Sequence, residues 1–122
     1  MSKKTSKMIG VFTSKPKTQK YVEIIEGYVS SLGDCKKEIK AQASFSVDRK
    51  FLWLWAYERT SDGTLYMTVC LDKQLDNPNF HYVAQVSPNR WNHHVVVKSE
   101  EMARSNWLQQ LVKEGFEFAK KY

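Results

Sequence analysis

Phe51-Leu52-Trp53-Leu54-Trp55-Ala56-Tyr57 is followed, after Ser61-Asp62-Gly63, by Leu65-Tyr66-Met67-Thr68-Val69-Cys70-Leu71. The second segment alternates: Leu65, Met67, Val69 and Leu71 share one parity, Tyr66, Thr68 and Cys70 the other. A period of two puts these sets on opposite faces of a strand. The first segment is apolar at almost every position, the pattern of a central strand covered on both faces. Gly63 tolerates the positive φ that a tight reversal needs, so the pair reads as a hairpin of strands over 51–59 and 65–71.

Working outward, Ile39 to Val47 alternates loosely and predicts one strand before the basic turn Asp48-Arg49-Lys50. Beyond Leu71, a polar loop with Pro78 leads to strands over Phe80–Val86 and Trp91–Val97, separated by Ser87-Pro88-Asn89-Arg90. Two helices flank this block. Tyr21, Ile24, Ile25, Tyr28, Val29 and Leu32 recur at three- and four-residue spacing, with Thr18 as the expected N-cap and Gly33 as the stop. At the other end Ser99 caps a helix whose apolar stripe is Leu108, Leu111, Val112, Gly115, Phe116 and Ala119. The fold expected is α+β: an antiparallel sheet of about five strands with an N-terminal and a C-terminal helix packed on it.

The chain has 122 residues, enough to bury a core as one domain. Its 42% hydrophobic and 13% aromatic content favours folding over disorder. The net charge of +6 is unevenly placed. Lys3, Lys4, Lys7, Lys15, Lys17 and Lys20 precede the first acid, Glu23, and the remaining thirteen basic residues balance thirteen acidic ones. Residues 1–19 are therefore expected to be a basic, flexible leader giving weak, salt-sensitive contact with polyanions, and 20–122 the domain; the exception is the apolar patch Met8–Phe12, which either docks on the domain as a short strand or contacts a partner. No apolar run is long enough to span a bilayer and no signal-peptide pattern is present, so a cytoplasmic location is expected. Cys35 and Cys70 are isolated from each other and from histidine, the pattern of free thiols rather than a zinc site.

Lys40 through Phe51 into Trp55, and the run Val86-Ser87-Pro88-Asn89-Arg90-Trp91-Asn92-His93-His94-Val95-Val96-Val97 leading into Ser99, together resemble the bacterial family catalogued as domain of unknown function 5655. The resemblance covers about residues 20–122. It implies a small domain that occurs alone or as a C-terminal module, and it brings no activity with it.

Two constellations bear on chemistry. Trp53, Trp55 and Tyr57 share one strand parity, and rings in a row offer stacking surface to a planar ligand or base. Arg49, Arg59 and Arg90, with Lys50, supply donors for an anion, and His94 supplies a group that titrates near neutrality. The candidate ligand site is thus Trp53, Trp55, Arg49, Arg59, Arg90 and His94, in a non-enzymatic module for an anionic ligand, nucleic acid or a protein partner. The alternative is a metal-dependent hydrolase. Glu38-Ile39-Lys40 has half of a nuclease signature, in which a carboxylate pair holds the metal and a lysine steadies the attacking water; a histidine would complete it. His93 and His94, adjacent on a strand, point to opposite faces and do not chelate one ion together, although His81 on the neighbouring strand pairs with one of them. No phosphate loop and no nucleophile–base dyad is present, so no catalytic residue, cofactor or metal is expected. The surplus of aromatics also suits an interface between two copies of the chain.

Overall fold

The computed structural model describes residues 7–120. These form seven strands and three helices: β1 (Met8–Ile9), α1 (Pro16–Leu32), β2 (Lys36–Ile39), β3 (Ala43–Ser46), β4 (Lys50–Tyr57), β5 (Leu65–Leu71), β6 (Tyr82–Ser87), β7 (Arg90–Val97), α2 (Glu100–Ala103) and α3 (Asn106–Ala119). The sheet is antiparallel in every pairing, in the order β2-β3-β4-β5-β7-β6, with β1 added to β4. The α+β class and the two flanking helices are as the sequence predicts. The sheet is larger, for two reasons. The segment read as one strand over 39–47 folds back at Lys40, whose N–H donates to Gln42 O, and becomes the β2–β3 hairpin. The segment read as leader supplies β1.

That leader is a correction. Met8 pairs with Tyr57 and Ile9 with Ala56, Phe12 is only 2% exposed, and the buried Lys15 donates through Nζ to the carbonyls of Glu58 and Thr60. Residues 8–19 therefore belong to the domain, and only positions 1–6 of the expected leader lie outside the described residues. Helix α1 starts two residues before Thr18, with Pro16 in its first turn, where a missing N–H costs nothing. Its free N–H groups at Lys17 and Thr18 donate to the Asp62 carboxylate (2.9 and 3.0 Å), from the β4–β5 turn. Thr18 is not the cap: its buried hydroxyl accepts from Gly63 N–H at 2.9 Å. The C-terminal helix is broken in two. Ser99 caps the single turn of α2 through Met102 N–H, and Ser105 caps α3 through Leu108 N–H.

The helices form a layer on one face of the sheet, α3 across β4 and β5, α1 against α3 and β5, and the short α2 against α1 and α3. Their buried residues (Val22, Ile25 and Val29 of α1; Leu108, Leu111, Val112 and Phe116 of α3) meet Leu52, Leu54, Leu65, Met67, Val69 and Val95. Gly115 sets the closeness of that contact: a methyl there would stand 2.6 Å from Val69 Cγ1. Phe51 reaches the same core through a bulge. Phe45 pairs with Leu52 and Ser46 with Lys50, so Phe51 is the extra residue and turns helix-ward beside Leu52, its ring edge-on to Phe116.

Among the described residues the opposite face carries no helix, which corrects the expectation that β4 is covered on both sides. Along β4, Leu52, Leu54 and Ala56 are buried while Trp53, Trp55 and Tyr57 are half-exposed. The uniform apolar run hid an ordinary alternation, because tryptophan and tyrosine are apolar by composition yet lie readily at a half-open surface.

Candidate functional site: a groove on the uncovered sheet face

Strand β5 is the floor of this face, through Tyr66, Thr68 and Cys70. Thr68 and Cys70 are only 4% and 5% exposed although no helix covers them. Their neighbours do: cross-strand register sets Trp53 and Trp55 of β4 on one side, and Asn92 and His94 of β7 on the other. Large side chains flanking small ones turn a flat sheet face into a groove.

The groove is continuous along the strands. One end is an aromatic hollow of about 160 Å³, lined by Trp55, Tyr57, Tyr66, His81, Tyr82 and His94. Trp55 stacks on Tyr66 (centroids 5.8 Å apart, 22° between planes), and Tyr82 stacks on His94 (4.2 Å, 18°). The middle is a depression of about 390 Å³ between Gln42, Trp53, Trp55, Thr68, Asn92 and His94. It runs into a hollow of about 280 Å³ lined by Arg49, Lys50, Trp53, Cys70, Val86 and Arg90. It opens at a mouth of about 630 Å³, where Arg49 and Arg90 meet Asp72, Ser87, Asn89 and Phe118.

Charge is confined to that mouth and the hollow next to it. Arg49 lies with its guanidinium carbon 4.4 Å from the centroid of the Phe118 ring, in the C-terminal turn of α3. Arg90 ends the β6–β7 turn. Both are near enough to Cys70 to pull its pKa down, but burial is the larger effect and leaves the thiol above its ordinary value. Cys70 is therefore a protonated floor residue, and both cysteines are free. The middle of the groove is polar and neutral. Thr68 Oγ1 and His94 Nδ1 are 2.9 Å apart, and burial, helped by His81 and His93, keeps the His94 pKa below the ordinary imidazole value. Trp55 Nε1 and Asn92 Oδ1 are shielded from solvent with no protein partner, a donor and an acceptor beside the central depression.

Of the six residues proposed from sequence, five come together here: Trp53, Trp55, Arg49, Arg90 and His94. Arg59 does not. It is exposed in the turn after β4, at the opposite end of the strand from Arg49. Sequence reasoning missed Tyr66, Tyr82, Thr68 and Asn92, and weighed His81 only as a partner for a second histidine. The signal of the missed four was parity: Tyr66 and Thr68 fall opposite Trp55 and Trp53, Tyr82 falls opposite His94, and Asn92 stands two residues before His94 on the same face of β7.

The hydrolase constellation is not assembled. Glu38 is exposed on the edge strand β2, ion-paired to Lys40 and Lys50 at 3.2 Å each, and those contacts hold its carboxyl below the ordinary range. His94 stands four strands away, about 19 Å at normal strand spacing. No group of three metal-ligating side chains occurs among the described residues. His93 is structural. Fully buried on the helix side, its Nε2 accepts from Leu75 N–H at 3.0 Å, so Nδ1 carries the proton that faces Val69 O at 3.3 Å. It pins the 72–81 loop under the sheet, where Phe80 packs on both His93 and Trp107.

The family model described as "Domain of unknown function (DUF5655)" matches residues 9–119. The chain belongs to the DUF5655 family. The match takes in Ile9 of β1, both halves of the β2–β3 hairpin and the groove, so it starts within the segment that composition marked as leader. No curated protein and no solved structure matches the chain. No helix of the described residues is long and apolar enough to cross a membrane.

Proposed function

We propose that this DUF5655 domain is a binding module whose groove takes a small aromatic anion, of the kind a nucleoside monophosphate represents. The observation that carries this reading is the polarity of the groove, with two arginines at one end and rings at the other. The anionic group sits at the mouth between Arg49 and Arg90. The planar part lies against Trp53 and Trp55, within reach of Trp55 Nε1 and Asn92 Oδ1. Along β7 the span from Arg90 to His94 is four residues, about 13 Å, room for one ring system and its charged group. A strand of nucleic acid is a poorer fit, because a groove that tracks a phosphate backbone carries cations along its length. Here Thr68, Asn92, Gln42 and a neutral His94 occupy the middle.

Titration calorimetry with nucleoside monophosphates, the matching nucleosides and short oligonucleotides tests this, with tryptophan fluorescence as a second readout. The phosphorylated monomer is expected to bind and to quench. Trp55→Ala removes a stacking contact of about 1–3 kcal/mol, a roughly 5- to 150-fold rise in Kd. Equal binding of nucleoside and nucleotide, or an unchanged Kd in Trp55→Ala, overturns the proposal.

A further inference from the structure

The two edges of the sheet differ in kind. Strand β2 is Lys36-Lys37-Glu38-Ile39, three charges in four residues, with Lys37 ion-paired to Glu26 of α1. Charged side chains, lysine above all, are how an edge strand is kept from pairing with another chain. Strand β6 is Tyr82-Val83-Ala84-Gln85-Val86-Ser87, with no charge and no proline; it is regular from Tyr82 to Gln85 and bulges at Val86, which still lies on the groove face with Tyr82. Tyr82 and Val86 are 53% and 54% exposed, two of the four large apolar side chains most open to solvent among the described residues.

The hydrogen-bond parity of the sheet shows which amides this edge presents. His94 O accepts from His81 N–H at 2.7 Å, so the backbone of His94, and of Asn92 two residues on, faces β6. Tyr82 and Ala84 are the residues opposite them and face back. Val83 and Gln85 therefore point their N–H and C=O groups outward. The far side of the sheet obeys the same phase: Glu58 N–H donates to Lys7 O, which makes even-numbered β4 residues face β1 and β3.

We propose that β6 pairs antiparallel with β6 of a second copy of this chain, about a two-fold axis through Ala84. The strand is self-complementary in that register. Val83 meets the partner subunit's Gln85 as a hydrogen-bonded pair, and the symmetric pair repeats it, so all four outward groups on each side are satisfied. Tyr82 then lies across from the partner subunit's Val86, and Val86 from the partner subunit's Tyr82, on one face. Both exposed apolar side chains are covered by a single operation, which a generic peptide strand would achieve only with a matching sequence. The product is one fourteen-stranded sheet, seven from each copy, with both grooves on the same face. This inference is independent of what the grooves bind.

Sedimentation velocity of the full chain, from low micromolar to several hundred micromolar, should show a monomer–dimer equilibrium. Gln85→Pro removes an outward N–H and leaves the bonds to β7 intact, so it should stay folded by circular dichroism with its dimer weakened at least about tenfold. Hydrogen exchange on the unmodified protein needs no variant. Val83 and Gln85 amides should gain protection as concentration rises, while Ala84, bonded to β7, stays protected throughout. A protein monomeric across the range, or a dimer in which Val83 and Gln85 exchange stays fast, overturns the proposal.

Discussion

Arg90→Ala and Arg59→Ala each remove one positive charge, so any binding that follows the overall charge of the domain responds equally to both. The groove makes them unequal. Arg90 lines the mouth, where a hydrogen-bonded contact to an ionised group is worth about 1.5–3 kcal/mol. The mouth is open to solvent, so the lower part of that range applies, roughly a tenfold rise in Kd. Arg59 lies beyond Tyr57, and Lys50 to Tyr57 alone spans seven residue steps, about 23 Å. Coulomb's law at that distance in water gives about 0.2 kcal/mol. Screening over a Debye length of about 8 Å cuts it to roughly 0.01 kcal/mol, which no binding assay detects. Calorimetry of both variants with a nucleoside monophosphate at near-physiological salt is the measurement, repeated on the parent at several salt concentrations. A single phosphate contact gives a shallow log–log salt slope, whereas a bound polyanion gives a slope proportional to the number of phosphates neutralised. Equal losses in Arg59→Ala and Arg90→Ala, or a steep slope, would refute the placement of the anion at the mouth.

Phe12→Ala should cost about 3–5 kcal/mol and lower Tm by more than about 10 °C, because Phe12 is sealed in the core; a thermal melt within a few degrees of the parent would return residues 8–19 to the status of a leader. Stability should also fall on acidification. His93 and His94 are held neutral by burial, with His93 drawn partly back by its hydrogen bonds and Glu114. The unfolded chain protonates both at the ordinary value near 6.5, so it binds more protons than the folded one. Their contribution is therefore full above about pH 6.5 and is lost as pH falls below it, well before the carboxylates titrate. Urea unfolding at neutral and mildly acidic pH measures this, and His93→Gln should flatten the slope; a flat profile in the parent contradicts the assignment of His93 as a neutral acceptor for Leu75 N–H.

Local signals carried the parts of the fold whose causes are local. The parity of Leu65–Leu71, Gly63 at φ +100° and the three-four spacing of α1 all hold in the structure. The failures have distant causes. Thr18 has the right chemistry for a cap, but Asp62 occupies that role from the hairpin packed beside it. Lys40-Ala41-Gln42 turns without glycine or proline, because β3 must bury Phe45 against the helices while β2 stays at the edge. Met8–Phe12 stood out as an apolar patch, and docking as a short strand is the outcome of the two alternatives, but the strand it docks on, β4, is more than forty residues away.

The site illustrates the same division. Its residue types were visible in the sequence, but their convergence depends on strand direction. Both β4 and β7 run antiparallel to β5, so they run parallel to each other on either side of it. Each is entered from a turn that carries an arginine, Arg49 before β4 and Arg90 at the start of β7. Two parallel strands flanking a common neighbour bring their entrances to the same end of the sheet, and Arg59, at the exit of β4, is carried to the other. This requires β7 rather than β6 to lie beside β5. A simple meander would put β6 there, antiparallel to β5, and β7 beyond it entering from the exit end of β4, so Arg90 would stand one strand further out and at the Arg59 end of the sheet. The 72–81 loop makes the difference. It passes beneath the sheet on the helix side, fastened by Leu75 to His93 and by Phe80 against Trp107, and delivers β6 to the outer edge. A buried histidine on one face thus decides which cations line the mouth of the groove on the other.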